Sequence, residues 1–258
     1  MKTYLFNFII LMALATACNR SQKGTEDQAD FLAEVNPAAP GFNMTESDAK
    51  AIEIADLVMK AMGGRQAWDA TRCIEWNFFG SRKLIWDKHE GVARIDYLKE
   101  DQKAVVNTVT KEGQVIRDGE KITHPDSLRK YLDRAYSAWI NDSYWLVMPF
   151  KLKDTGVTLK YLGEDTTQAG ADAHKLQLTF ENVGVTPQNK YHVWVDKEKN
   201  LVTQWAFFRE NSMEEPNFIT PWEDYKQFGE ILLSGNRGDR EITGIAVHQE
   251  IPEGVFEL

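Results

Sequence analysis

Few residues in this 258-residue chain are spaced to do covalent chemistry. The five histidines, His89, His124, His174, His192 and His248, share no spacing that sets two imidazoles on one face as metal ligands. There is no Gly-x-Ser-x-Gly elbow, no His-Glu-x-x-His helix, no Cys-x-x-Cys pair and no phosphate-binding glycine loop. Glu223-Asp224, between Trp222 and Tyr225, offers two carboxylates and two aromatic platforms, the equipment of a glycan-processing site. Adjacent strand residues point to opposite faces, however, so these carboxylates do not flank one bond. Glu214-Glu215 before Pro216 reads as a solvated charge run. Arg237-Gly238-Asp239 copies a cell-adhesion tripeptide but reads as a glycine-rich hairpin turn. His192 shares a strand face with Trp194, as a cavity base or ligand or as a satisfied imidazole. The expectation is a protein that binds rather than reacts: no enzyme, no metal and no cofactor.

One of the two cysteines carries a different chemistry. Met1-Lys2-Thr3 precedes a largely apolar run from Tyr4 to Ala17, too short to span a bilayer, which needs roughly 20 apolar residues. The run ends Leu14-Ala15-Thr16-Ala17-Cys18, similar to a bacterial lipobox. That motif implies cleavage before Cys18 and a diacylglycerol on its thiol, which anchors far more firmly than a single acyl chain. Asn19 stands where an inner-membrane retention signal would have Asp. The expected location is therefore the outer membrane, facing the periplasm. Cys73 is then left alone and reads as a small buried hydrophobe. A net charge of −9 leaves no footprint for nucleic acid, which needs clustered Lys and Arg.

The elements that would hold a binding site follow from periodicity. Residues 1–17 read as the signal, 18–44 as the lipidated cysteine and a flexible tether ending in Pro37-Ala38-Ala39-Pro40-Gly41, and 45–258 as one folded domain. Thr45 and Asp48 suggest a capping box for a helix over 46–62, with apolar residues at helical spacing and Gly63-Gly64 as its stop. From Cys73 the period becomes two, with strands near 73–79, 82–87, 91–98, 103–110 and 113–118. Pro125 opens a second helix whose Leu128, Tyr131, Leu132, Ala135 and Trp139 share a face over 126–139. Asn141-Asp142-Ser143 looks like the cap of a separate short turn ending at Pro149. Strands resume near 156–164, 173–181, 189–197, 200–208, 220–228, 229–235 and 240–248. About eleven or twelve strands with two helical pieces predict a mainly β protein with α, built on one large antiparallel sheet, curled or closed.

Alternation then groups large rings. Trp76 with Phe78, Leu84 with Trp86, Ile95 with Tyr97, His192 with Trp194, Trp205 with Phe207 and Trp222 with Phe228 fall on shared faces, whereas Glu75, Arg94 and Asp96 face solvent. A sheet this large encloses more space than a small barrel fills with side chains. The candidates for lining that space are Trp76, Phe78, Trp86, Tyr97, Trp139, Trp145, Trp194, Trp205, Phe207 and Trp222. The ordinary alternative is that they fill a solid core.

Three passages carry a resemblance. They are Met62-Gly63-Gly64 with Ala67-Trp68; Asn141 to Leu146 with Pro149-Phe150-Lys151-Leu152, Asp154 and Gly156; and Ile245-Ala246-Val247-His248 with Ile251-Pro252 and Phe256. Together they resemble uncharacterised bacterial lipoproteins related to the LolA/LolB lipoprotein-sorting superfamily, over roughly residues 48–258. The resemblance implies a LolA-like fold, a single curled antiparallel sheet or half-open β-barrel of about eleven strands with helices plugging one face, around an apolar cavity of the kind in which LolA and LolB hold acyl chains. No stretch matches the working residues of LolA or LolB, so fold transfers further than activity. The expectation is a membrane-anchored, non-catalytic lipoprotein that binds a lipid or acylated ligand. A solid structural or interaction module with an envelope protein partner, and a glycan-binding or glycan-processing lipoprotein, stand as alternatives.

Overall fold

The computed structural model describes residues 31–258 apart from 33, 182 and 252; the signal sequence and Cys18 lie outside the described residues. After helical residues 31–32 and 34–35 come two helices, α1 (Ala49–Ala61) and α2 (Arg65–Ala70), joined by Gly63-Gly64. Gly63 sits at φ +115°, and a Cβ there would come within 2.3 Å of the Glu230 carbonyl oxygen, so the stop has to be glycine. Asp48 precedes α1 without capping it; its carboxylate accepts from the Tyr161 amide (2.9 Å) and from Lys160 Nζ (3.2 Å) instead. The acid expected to cap the helix therefore ties its start to a strand more than a hundred residues away.

Six strands follow as a meander: β1 (Cys73–Phe78), β2 (Arg82–Asp87), β3 (Val92–Tyr97), β4 (Gln102–Asn107), β5 (Gly113–Arg117) and β6 (Glu120–Lys121). Their register makes rows across the sheet. Trp76, Leu84, Ile95, Ala104 and Val115 form one row, and Phe78, Arg82, Tyr97, Gln102 and Arg117 the next. The first row is fully buried. Glu75, Arg94 and Asp96 lie on the other face in surface ion pairs with Lys83 and with each other.

A long helix, α3 (Pro125–Val147), lies across this concave face and continues into a 3-10 turn, Met148–Lys151. The separate turn expected after Asn141 does not form. Asp142 is wholly buried and paired with Arg82, so the Asn-Asp-Ser triplet is helix interior rather than cap.

The second half is β7 (Val157–Thr166), β8 (Asp172–Phe180), β9 (Lys190–Asp196), β10 (Val202–Phe208), β11 (Phe218–Pro221), β12 (Glu223–Phe228), β13 (Ile231–Asn236) and β14 (Ile242–His248). The ladder orders are β14-β1-β2-β3-β4-β5-β6, β11-β10-β9-β8-β7 and β12-β13. They merge into one curled antiparallel sheet. An Asn236–Glu241 bridge joins the β13–β14 hairpin, and the run expected over 220–228 is β11 and β12 broken at Trp222, whose amide still donates to Thr203 O at 2.9 Å. The sheet stays unclosed, with β6 and β7 as its ends, and α3 fills part of its mouth. The mainly β antiparallel sheet is the one that periodicity predicts, curled rather than closed, and the helical plug is the one that the resemblance implies. Among the described residues no helix is long and apolar enough to cross a membrane.

Residues 31–44, expected as tether, pack onto the domain. Leu32 and Phe42 are buried, Ala39 and Asn43 donate backbone bonds to Lys153 and Val157, and the Gly156 amide donates to Gly41 O. Asn36 and Lys153 converge on buried Asp56, with Lys153 Nζ 2.5 Å from its carboxylate. The two prolines and the glycine shape this strap rather than loosen it.

Candidate ligand cavity

Between α3 and the β7–β10 half of the sheet lies a cavity of about 700 Å³, within the range of small-molecule sites. One wall is a single face of α3. Tyr136, Trp139, Ile140, Ser143 and Tyr144 recur at i, i+3, i+4, i+7 and i+8, so one helical stripe runs the length of the cavity. Trp145 adds to it from the next position round. The opposite wall is Tyr191, Trp205 and Phe207 from β9 and β10, with Phe180 from β8 and Phe218 from β11. Val183 to Thr186, Gln188 and Asn189 of the β8–β9 loop, with Thr155 and Val157, complete the rim.

The rings brace one another. Tyr191 and Trp205 stack at 5.0 Å and 8°, Tyr144 sits 5.5 Å from Tyr191 and 6.1 Å from Phe180, and Trp145 meets Trp205 edge-on at 4.7 Å. At the other end Trp139 meets Trp86 edge-on at 5.5 Å. Such offset and edge-on pairs hold aromatic walls rigid, which favours a preformed site.

Polar side chains, most of them neutral, stand among the rings, with Asn141 and Ser143 on α3 and Thr155, Thr186, Gln188 and Asn189 at the rim. The Tyr144 hydroxyl is buried without a hydrogen-bond partner, and burial holds its pKa well above the phenolic range. Burial also pushes Tyr191 up to about 12, with Asn189 as its hydrogen-bonding neighbour. Lys151 and Asp154 pair with each other, and Arg209 lies exposed at the rim. Among the described residues no group of His, Cys, Asp and Glu is placed to hold a metal ion.

Of the residues singled out from sequence, Trp86, Trp139, Trp145, Trp205 and Phe207 line this cavity. Trp76, Phe78 and Tyr97 lie instead in the core rows of the first sheet. Trp222 is fully buried behind Trp205, ring centroids 5.6 Å apart, under the Arg237 guanidinium. Trp194 is on the far face of β9 in a small cluster with Ala173, Ala206 and Phe208, beneath Met213. His192 faces the same way, against Phe208 at 4.5 Å, and so stands outside the cavity. Burial of Trp222 also removes the aromatic platform beside Glu223 and Asp224, both of which are exposed. Arg237 is only 2% exposed, so the tripeptide it begins is not displayed. Cys73 is buried and unpaired, and burial pushes its thiol up to about 11.

Tyr136, Tyr144, Phe180, Tyr191 and Phe218 line the cavity and were not singled out. A signal for the first two was present: they extend the 139/140/143 spacing along one helix, visible once the helix is read as continuous.

No protein-family model matches the chain and no curated protein matches it. Solved structures similar in fold include a DUF1329 family protein from Desulfovibrio piger (TM-score 0.47, 12% identity, covering 80% of this chain and 97% of that one). A putative outer membrane lipoprotein-sorting protein domain from Vibrio parahaemolyticus is similar with a TM-score of 0.39 and 10% identity, over 81% and 96% of the two chains. A LolA superfamily protein from Nitrosomonas europaea follows at 0.33 and 9%, over 79% and 97%.

Proposed function

We propose that this protein is a non-catalytic lipoprotein of the cell envelope that binds the apolar part of a lipid or acylated partner in its cavity. The observation that carries this reading is the aromatic-walled space of about 700 Å³ between α3 and β7–β10. It is larger than any side-chain packing defect, and a space that size does not suit a solid structural module. The lipobox-like Leu14 to Cys18 supports an anchor. In this reading Cys18 holds the protein at the outer membrane facing the periplasm, and Trp86, Trp139, Trp145, Trp205 and Phe207 contact the ligand. Each buried methylene of a ligand chain contributes about 0.8 kcal/mol.

The test is titration of the unlipidated chain (Cys18→Ser) with the neutral fluorophore N-phenyl-1-naphthylamine, together with mass spectrometry of lipid extracted from the purified protein. Micromolar binding that Ile140→Trp abolishes, by filling the space from the cavity face of α3, supports the reading. Absence of binding by the parent protein sinks it.

A further inference from the structure

The walls of the cavity are built of rings rather than of aliphatic side chains. Among the described residues Ile140 is the one aliphatic side chain between α3 and the sheet, since Val157, Val183 and Val185 stand at the rim. Holding saturated hydrocarbon does not call for that composition, because buried methylenes draw on apolar area of any kind.

The rings also keep surface for a ligand to cover. Trp139, Trp145, Phe180, Tyr191 and Phe207 line the cavity and are each only half-buried. Two of them have no ring stacked on them among the described residues. Phe180 meets Tyr144 and Tyr191 edge-on, at 6.1 and 5.5 Å, and Trp139 meets Trp86 edge-on at 5.5 Å and Tyr136 at a tilt of 48°.

Quadrupoles decide which ligand gains most from such walls. A saturated chain gains the transfer of its methylenes from water, on a ring as on any apolar surface. A flat unsaturated ring gains that and, in addition, the electrostatic match of an offset or edge-on pair. An open ring face also attracts a cation. Lys151 and Arg209 oppose a positive ligand here, however, and Asp154, the one acid among the cavity residues, is already paired with Lys151. A neutral ring meets no such cost.

We infer that the cavity selects a lipid whose apolar body is a flat, unsaturated ring system over one whose apolar body is a saturated acyl chain, with Phe180 and Trp139 pairing with that ring. This rests on the cavity-binding reading above and narrows its ligand class.

The experiment is equilibrium dialysis of the unlipidated chain (Cys18→Ser) against three primary alcohols, 1-dodecanol, 1-pyrenemethanol and 1-adamantanemethanol. Each affinity is divided by that compound's octanol–water partition coefficient. The corrected affinity for pyrenemethanol should exceed that for dodecanol roughly 5- to 30-fold, the worth of one or two ring pairs. In Phe180→Leu and in Trp139→Leu, which replace a ring by a branched apolar side chain, that ratio should fall roughly 2- to 10-fold. Urea transitions report whether each variant folds; should neither fold, the ordering in the parent decides. Dodecanol binding as well as pyrenemethanol overturns the inference and leaves the cavity reading standing. So does adamantanemethanol matching pyrenemethanol, because a saturated cage has bulk without a π face, and so does an unchanged ratio in a folded variant. Failure of all three alcohols to bind also overturns it, and if N-phenyl-1-naphthylamine fails as well, the cavity reading falls with it.

Discussion

Arg82 on β2 closes a two-pronged hydrogen bond onto Asp142 on α3, Nε to Oδ2 at 2.6 Å and Nη2 to Oδ1 at 2.9 Å, with Asp142 wholly buried. This pair fixes the long helix to the concave face of the first sheet. Because α3 is also one wall of the cavity, the same pair sets where that wall stands. The fork geometry suits arginine and not lysine.

Asp142→Ala leaves the partly buried Arg82 guanidinium without its carboxylate, against the Phe78 ring. Breaking a buried pair from one side typically costs about 3–5 kcal/mol, a large share of a domain's stability of roughly 5–15 kcal/mol. Urea unfolding should show that loss for Asp142→Ala, and Arg82→Lys should recover only part of it. A midpoint for Asp142→Ala within experimental scatter of the parent would show that α3 is held by packing alone.

How much of this was legible in the sequence differs from element to element. Strand alternation in the meander predicts the buried row through Trp76, Leu84 and Ile95, because β1 to β3 pair without slippage. The continuity of α3 was hidden by Asn141-Asp142-Ser143, a triplet that favours caps on local propensity. A tertiary partner, Arg82, overrides that preference. Register across the second half was illegible for another reason. From the turn at Asp196 to Asn200, Val202 faces Val195, but the pairing then slips by one, with Gln204 opposite Trp194. Thr203 is the extra residue. With the slip, Trp205 opposes Val193 rather than His192, and joins Tyr191 and Phe207 on the cavity side.

Arg237 supplies the second anchor for the cavity wall. It is buried, donates to Trp145 O at 2.6 Å, to Ser234 O at 3.0 Å and to Ser234 Oγ at 2.9 Å, and lies 3.5 Å over the Trp222 ring. Burial brings its pKa down to about 9. Arg237→Met removes the donor that holds the last turn of α3, leaving the Trp145 carbonyl unpartnered, and should cost about 2–4 kcal/mol. Its near-UV circular dichroism should change where Trp145 and Trp205 couple, and binding of the fluorophore should weaken with it. Unchanged aromatic dichroism would mean that Trp145 is positioned by Phe218 and Phe79 instead.

His192 should make stability depend on pH. Burial, then Lys175 and Lys190, lower its pKa to about 4 from an ordinary 6.5. The unfolded chain therefore takes up the proton first as pH falls, so the contribution is complete above about 6.5 and is lost as pH drops through about 4. The ring is partly exposed, so the effect amounts to about 1–3 kcal/mol. Urea midpoints measured between pH 7.5 and 4 should fall less steeply in His192→Gln than in the parent. Parallel curves would place the acid sensitivity elsewhere.

The slip at Thr203 admits a direct test. A one-residue change of register reverses every side chain of a strand between faces, and a bulge is how a strand makes that change locally. Deleting Thr203 removes the extra residue and leaves Gln204 opposite Trp194 and Trp205 opposite Val193, so Trp205 stays on the face it shares with Tyr191. Inserting an alanine after Thr203 does the reverse: unless the bulge widens, it carries Trp205 opposite His192, on the face away from Tyr191. Thr203→Ala keeps the extra residue and should unfold within about 1 kcal/mol of the parent. The insertion should lose fluorophore binding and shift tryptophan emission toward the red as Trp205 leaves its pocket, whereas the deletion should keep the binding and the parent's emission. Retained binding in the insertion variant would show that packing against α3 alone selects the inner face of β10.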